Sequence, residues 1–575
     1  MNFFQITQKI YSIIYLLNRK KLILMILLAL IIGMCDLLGV ASIYPFMNIA
    51  TSNELDLSSF PLSLISSNLG LNNRAELIFV LGVITSIIIL FTMSLKIIAT
   101  AYIIKSSMDY EFELSYKLFK SVINKSYNSH KKLSRNKNEK LILSEVTNFV
   151  HQAGYPLILL IVHTIIISMI VSLLFFINPN SALIIGLLFL VIYGGIIFFV
   201  KKKLTIIGAQ RTQANETKFQ IVAESFDIIK LIKLYKMENS ITEIFKVASR
   251  EFSEKHAQSQ VIAQLPRFFV EMIALTVIIL VISFIQFRDA QSFIANIPII
   301  TTFCLGAFKI LPSAQQLYFS ISQISYSGKV VDEIFSELNY LNKFDEQVTE
   351  VESLEPLRSG FENFELWSSG TNTKRLLRLE RGQSIGLIGK SGSGKTTLLE
   401  TLAGLVETDK FNVRYNGDEL RLGLTSSVWQ QKLAYVPQEP FLMSGTIKEN
   451  ICFGLPINDK KLSSVCDIAM LEGFLSDREN GIESEIGRFG SQLSGGEKQR
   501  IAIAQALYRD KEIFLMDEGT SALDEEFASS VITNLLSIQH LSLIIVSHSR
   551  AVNKMLGDVY EVRQGSITKV LDDEK

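Results

Sequence analysis

Net charge is what this chain lacks first: 56 Lys and Arg stand against 56 Asp and Glu. No global positive balance therefore points to nucleic acid. Charged residues of either sign are scarce, at 19%, while apolar residues reach 48%. That mixture is too apolar for an ordinary soluble protein of 575 residues. Cysteine is scarce too. Cys35, Cys304, Cys452 and Cys466 show no CxxC or other ligand spacing, so neither a zinc site nor a disulfide framework is implied. A cleavable leader is not expected. The first apolar run has no small-residue cleavage site and is long enough to cross a bilayer, so it reads as a retained anchor. The length exceeds one core and predicts two or more domains.

What is present is, first, a series of long apolar runs. They fall near residues 22–50, 75–104, 153–177, 182–200, 262–287 and 293–324. Each is long enough to span a membrane, which predicts an all-α domain of six transmembrane helices. Basic residues set the orientation. Segment 105–149 carries nine Lys or Arg and 201–260 carries eleven, whereas the short connections on the other side carry almost none. The positive-inside rule then places both termini and the two long polar segments in the cytoplasm. Those segments keep a helical apolar period, as in Phe219, Val222, Phe226 and Ile229. They read as cytoplasmic extensions of spans two to five, meeting in turns near 127–136 and 227–238 that are placed to touch an attached motor domain. Segment 56–69, between the first two spans, reads either as an amphipathic surface helix or as a loop packed on helix ends.

Ionisable groups inside the spans are Asp36, Lys96, His163, Arg267, Glu271 and Lys309. A charge at a helix centre costs roughly 2.5–3.5 kcal/mol on insertion scales, so each should face protein or water. Some can instead snorkel to the interface or pair internally. Arg267 and Glu271, four residues apart, either neutralise each other or face a ligand. Lys96 and Lys309 have no partner nearby in sequence. Lys96, Arg267 and Lys309 are the candidates for an anionic cargo site.

The second feature is Gly389-Lys390-Ser391-Gly392-Ser393-Gly394-Lys395-Thr396-Thr397. It follows an apolar strand-like run, 384–388, and precedes a helical one. Glycines let backbone N–H groups turn toward an anion, and the helix N-terminus adds positive potential. Lys395 can reach β and γ phosphates, and the Thr396 hydroxyl can hold Mg²⁺. The chain is thus expected to bind a nucleoside triphosphate. From about residue 357 short apolar runs alternate with helical segments, the pattern of an α/β domain. Ile513 to Asp517 reads as a buried strand ending in the carboxylates Asp517 and Glu518. Asp517 would organise Mg²⁺, and Glu518 would polarise the attacking water. Leu493-Ser494-Gly495-Gly496-Glu497-Lys498-Gln499-Arg500 opens another helix with an anion-binding end. That end makes sense if a second copy of the chain supplies it to the first copy's phosphates.

These stretches, in this order, resemble the ATP-binding cassette (ABC) superfamily over roughly residues 357–570. The resemblance implies roles residue by residue. Tyr435-Val436-Pro437-Gln438 is similar to the Q-loop, with Gln438 on Mg²⁺ and the attacking water. Ser521-Ala522-Leu523-Asp524 is similar to the D-loop. Ile544 to His548 is similar to the switch strand, with His548 on the γ-phosphate. Ser494, Gly495 and Gly496 would contact nucleotide across the dimer. Trp367, in Phe364-Glu365-Leu366-Trp367, is the candidate for stacking on adenine. Gly519 stands where the family usually has Ala or Pro, which is expected to loosen that turn. The segments 441–451 and Glu485-Ile486-Gly487 resemble the exporter form of the cassette. The implied architecture is a six-helix exporter membrane domain of type IV fold (residues 1–331), a linker (332–356) and an α/β P-loop nucleotide-binding domain (357–575). ATP and Mg²⁺ are the implied cofactors, and two equivalent ATP sites in a homodimer are expected.

The membrane half resembles the bacterial flippases of lipid-linked oligosaccharides. The resemblance rests on Met34-Cys35-Asp36-Leu37, Tyr44-Pro45-Phe46, Lys96, Leu265-Pro266-Arg267 with Glu271, and Lys309 to Ala314. It implies a polyprenyl-diphosphate cargo in the cytoplasmic membrane, with cations for the pyrophosphate and lipid contacts for the tail. Two alternatives stay open on sequence grounds: export of a peptide, drug or other lipid, and a membrane-bound ATPase that signals or scaffolds.

Overall fold

A computed structural model describes residues 3–51, 74–132, 135–288, 290–352, 360–369, 374–406, 411–420, 429–563 and 566–570. The chain divides into two compact units. One comprises Met1–Lys125 and Leu133–Phe344, the other Ser126–Lys132 and Asp345–Lys575.

The first unit is helical. Its long helices are α1 (Phe3–Ala41), α2 (Arg74–Ile123), α3 (Tyr155–Ile177), α4 (Pro179–Asp227), α5 (Glu238–Arg288) and α6 (Ala290–Tyr326). Among the described residues, Phe3–Ala50, Ala75–Ile123, Asn138–Ile177 and Ile297–Tyr326 are each long and apolar enough to cross a membrane. Helices α2, α4 and α5 contain 50, 49 and 51 residues. At 1.5 Å per residue each is about 75 Å long, far more than a hydrocarbon core of about 30 Å. The surplus is the polar half that sequence periodicity reads as cytoplasmic extension. Helix α1 begins well before the apolar run. It breaks at Asn18, whose backbone is extended. The Asn18 Oδ1 accepts from the Lys21 backbone N–H at 3.1 Å, so the side chain caps the membrane part. Pro266 lies within α5, and Pro298 and Pro312 within α6. The core is a continuous apolar cluster running from Ile6, Ile10 and Ile13 through Val162, Ile166 and Ile170 to Ile310. Helix α7 (Gly328–Glu352) follows, and Val330, Val331, Ile334 and Leu338 join that core. Segment 56–69 lies outside the described residues.

The second unit is built on two sheets among the described residues. A parallel strand buried on both faces must be apolar throughout. Strands β3 (Ser384–Ile388), β7 (Ile513–Asp517) and β8 (Ser542–Val546) meet that demand, being buried along essentially their whole length. With β6 (Leu433–Val436), β9 (Asp558–Arg563) and β10 (Ser566–Lys569) they form a sheet in the order β10-β9-β3-β8-β7-β6. All its pairs are parallel except β9 with β10. A second, antiparallel sheet has the order β2-β1-β4-β5, from β1 (Asn363–Ser368), β2 (Arg375–Glu380), β4 (Phe411–Tyr415) and β5 (Asp418–Leu420). One apolar cluster joins it to one face of the parallel sheet through Phe364, Leu377, Leu387 and Trp429. The other face carries Ile447, Ile501, Ile503 and Ile532.

Candidate functional site

In a parallel sheet ligands gather beyond the carboxyl ends of the strands. Here four neighbouring strands, β3, β8, β7 and β6, end on the four stretches singled out by sequence. The P-loop follows β3, Ser547-His548 follows β8, Asp517-Glu518 ends β7 and Gln438 lies two residues beyond β6.

The P-loop turns on glycine. Gly389 has φ +152°, and a Cβ there would stand 2.5 Å from the Val562 carbonyl oxygen. Gly394 has φ +97° and caps helix α8 (Lys395–Leu402) from the left-handed region. Both conformations are costly for a residue with a side chain. The buried Lys395 ammonium reaches back across the loop, donating to the Gly389 carbonyl at 2.8 Å and the Lys390 carbonyl at 3.2 Å. Its charge is thus held over a ring of backbone that Ser391, Gly392 and Ser393 complete.

Beside it sits Asp517, 1% exposed. Neither carboxylate oxygen meets a donor in bonding geometry. The Thr396 hydroxyl is near enough to favour the anion, as is Lys395. Burial outweighs both and, with Glu518 and Glu400 adding repulsion, pushes the Asp517 carboxyl above its ordinary range. An orphaned buried carboxylate beside a hydroxyl is a donor set that fits a hard divalent cation.

Glu518 stands in the left-handed region at φ +49°, a strained position for a non-glycine residue and one that recurs at functional sites. The turn aims its carboxylate at two partners. Gln438 Nε2 donates to Oε2 at 3.0 Å, and His548 Nε2 lies 3.0 Å from Oε1. The three residues expected to act on water thus meet at one carboxylate. Gly519 does not loosen the turn, contrary to the expectation from sequence. A Cβ there would lie 2.6 Å from Met516 Cγ and 3.0 Å from Val436 Cγ1. The glycine lets the turn settle tightly on these side chains.

Ser494 caps helix α9 (Gly495–Tyr508) in a capping box, its hydroxyl accepting from the Glu497 N–H while Glu497 accepts from the Ser494 N–H. Asp524 likewise caps helix Glu525–Leu536, accepting from the Phe527 N–H at 3.0 Å. Gly495 and Gly496 pack on Ala522, where a Cβ would come within 3.3 and 3.1 Å of it. Trp367 lies on β1, donates from Nε1 to Glu365 at 3.0 Å and carries the Arg414 guanidinium 4.8 Å from its ring centre. Thr397 lies in the first turn of α8.

Two residues of this unit escaped the sequence reading. Gln499, 2% exposed, donates to the Glu518 carbonyl and the Ser521 hydroxyl and accepts from the Ala522 N–H at 2.9 Å. It pins helix α9 to the turn bearing Glu518. The available signal was an amide placed among the buried Ile501, Ala502 and Ile503. Glu400, on α8, accepts from the Tyr127 hydroxyl at 3.1 Å and pairs with Lys131 at 3.2 Å. The short helix bearing both, Tyr127–Lys132, groups with this second unit. Burial, and next Glu400, raise the Tyr127 phenol above its ordinary range.

In the first unit Lys96 and Lys309 come together. Lys96 Nζ lies 2.6 Å from Asp36 Oδ2 and Lys309 Nζ 3.1 Å from Asp36 Oδ1. Arg267 is not among Asp36's partners. It pairs with Glu271 at 3.3 Å, a carboxylate that also accepts from Gln315.

Comparison with known proteins agrees with this layout. A Candida albicans protein described as ATP-dependent permease MDL1 is 37% identical over 30% of this chain and 26% of its own. A putative export ATP-binding/permease protein of Rickettsia conorii is 30% identical over 42% of this chain and 41% of its own. The Lactococcus lactis lactococcin-G-processing and transport ATP-binding protein LagD is 32% identical over 33% of this chain and 27% of its own. This chain thus spans less than half the length of each of these relatives. The solved structure of a bacterial Atm1-family ABC exporter with ATP bound superposes with a TM-score of 0.75, covering 96% of this chain and 94% of that one. At 16% identity that likeness speaks to fold. Family models for the ABC transporter transmembrane region and for the ABC transporter match residues 22–306 and 374–521 respectively. With a helical membrane unit followed by an α/β nucleotide-binding unit, the chain belongs to the ABC transporters.

Proposed function

We propose that this multi-pass membrane protein is an ATP-driven flippase for a lipid with an anionic, sugar-bearing headgroup, most specifically a polyprenyl-diphosphate oligosaccharide. It would act as a homodimer in the cytoplasmic membrane, with both ATPase units in the cytoplasm. The observation that carries the reading is the pair of partly exposed lysines, Lys96 and Lys309, sharing one carboxylate within apolar helices. A diphosphate offers such ammonium groups several charged acceptor oxygens, and Arg267 adds a third cation on α5.

Two chains close around two ATP molecules. In each site the P-loop of one chain, residues 389–397, cradles the phosphates, and Ser494 to Gly496 of the other present a helix N-terminus to them. Trp367 stacks on the base, and Asp524 holds the turn that faces the partner. Thr396, Asp517 and Gln438 are the residues that would hold Mg²⁺, which would neutralise phosphate charge. Glu518 takes the proton of the attacking water, steadied by Gln438 and His548. ATP favours the closed dimer by binding it better than the open one. Closure reaches the membrane helices through the turns near 127–136 and 227–238.

The test is flipping of a lipid-linked oligosaccharide in proteoliposomes by wild type and by Lys96→Gln/Lys309→Gln. Flipping that disappears while basal ATP hydrolysis persists supports the proposal. Flipping unchanged by the double substitution would refute it and point instead to export of a peptide, drug or uncharged lipid.

A further inference from the structure

Helices α1, α2 and α6 meet at one carboxylate. Asp36 is 2% exposed, and both its oxygens are engaged by ammonium groups. The Lys96 and Lys309 side chains are 32% and 27% exposed. What can be reached from outside is therefore ammonium, not carboxylate. His163 on α3 lies close enough to interact with both Lys96 and Asp36, and its Nδ1 is buried with no hydrogen-bond partner.

The charge count is uneven. Among the described residues, two ammonium groups against one carboxylate leave one positive charge within apolar spans, where an unbalanced charge is expensive. A pin whose only duty was to hold three helices together would balance, or would be apolar. Each ammonium has three N–H donors, and the bond to Asp36 uses one on each. The geometry points to Asp36 as the resident counter-ion of a site for a phosphate-class headgroup anion: it sets Lys96 and Lys309 side by side and competes with the ligand for them. This rests on the reading of the lysines as cargo contacts, and adds to it the residue that tunes their affinity. A competing counter-ion keeps binding weak enough for release. Without it the two ammonium groups would repel each other and hold an anion more tightly.

The test uses the purified full-length protein and farnesyl diphosphate as probe, with binding followed by titration calorimetry. The net charges at the triad are +1 in wild type, +2 in Asp36→Asn, 0 in Lys309→Gln and +1 in the double variant. Affinity should rise about tenfold in Asp36→Asn and fall about tenfold in Lys309→Gln, the scale of one charge-assisted contact. The double variant should return to within about threefold of wild type, because it restores the net charge. A structural pin predicts otherwise: Asp36→Asn no tighter than wild type, or the double variant no better than Lys309→Gln. Either result overturns the proposal. Should Asp36→Asn fail to fold, the double variant, which has no pair of uncompensated lysines, still decides. Inorganic pyrophosphate as tightly bound as farnesyl diphosphate would overturn the assignment to a lipid headgroup. Sugar-lipid flipping is scored separately. Flipping without the predicted order of affinities sinks the role of Asp36 alone, and the predicted order without flipping sinks the cargo reading alone.

Discussion

Asp517→Asn separates what the ATPase fold needs from what its ligand needs. The wild-type carboxylate is buried beside Glu518, with both oxygens lacking a donor in bonding geometry. Leaving a buried polar group unsatisfied costs about 1–3 kcal/mol, and a charged one more. An amide of the same shape removes the charge and its repulsion from Glu518 and Glu400. The nucleotide-free variant should therefore be more stable at neutral pH than wild type, by about 1 kcal/mol or more. The sign of the pH dependence follows from linkage. The folded-state value is raised above an ordinary 3.8, so the folded protein holds this proton more tightly than the unfolded chain does. That contribution is fully present below 3.8 and is lost as pH rises through the folded value. Asparagine cannot lose it. The stability gap between variant and wild type should thus be small in acid, widen through that window, and level off above it. Intrinsic fluorescence reads this cleanly, because the chain has two tryptophans, Trp367 and Trp429, both in the ATPase unit. Added MgATP should raise the melting temperature of wild type and not of Asp517→Asn. A variant less stable than wild type without nucleotide, or equally stabilised by MgATP, would refute the account of Asp517 as a buried anion awaiting a cation.

Glu518→Gln keeps the shape that meets Gln438 and His548 but cannot accept a proton. ATP hydrolysis should fall by roughly 10²–10⁴-fold, the usual worth of a general base. Nucleotide binding should persist and the dimer should stay closed, as scored by phosphate release and by cross-linking. Near-normal turnover would remove Glu518 from that role. Gly208→Ala tests the membrane unit. A Cβ on α4 there would overlap the Tyr326 carbonyl oxygen and lie 2.8 Å from its carbonyl carbon. Since backbone must yield, the loss should be about 3 kcal/mol, visible as a lower detergent-solubilised melting temperature. An unchanged melting temperature would mean that α4 and α6 do not approach as described.

The nucleotide site was legible because its chemistry is local. A glycine-rich loop, a strand ending in carboxylates and a capped helix each declare themselves within about ten residues, as backbone geometry and caps depend on near neighbours. Four membrane-length helices among the described residues were legible for the same kind of reason, since spanning needs a continuous apolar run. Pairing of remote charges was not. Asp36 and Lys309 are separated by most of the membrane unit in sequence yet lie 3.1 Å apart. Lys140, 1% exposed, sits 3.7–3.8 Å from Glu145, Glu216 and Glu333, contributed by separate helical segments. In sequence that lysine looks like one more member of a basic cytoplasmic stretch.

By itself, then, the order of residues determined the two-part architecture and the parts of an ATPase, because hydrophobic period, glycine freedom and capping act over a few residues. The tertiary structure alone decided which ionisable groups remote in sequence meet. It gathered Gln438 and His548 onto Glu518, clamped helix α9 with Gln499 and placed two lysines on one aspartate. Such meetings depend on how helices and strands pack across tens to hundreds of residues, and no local preference specifies them.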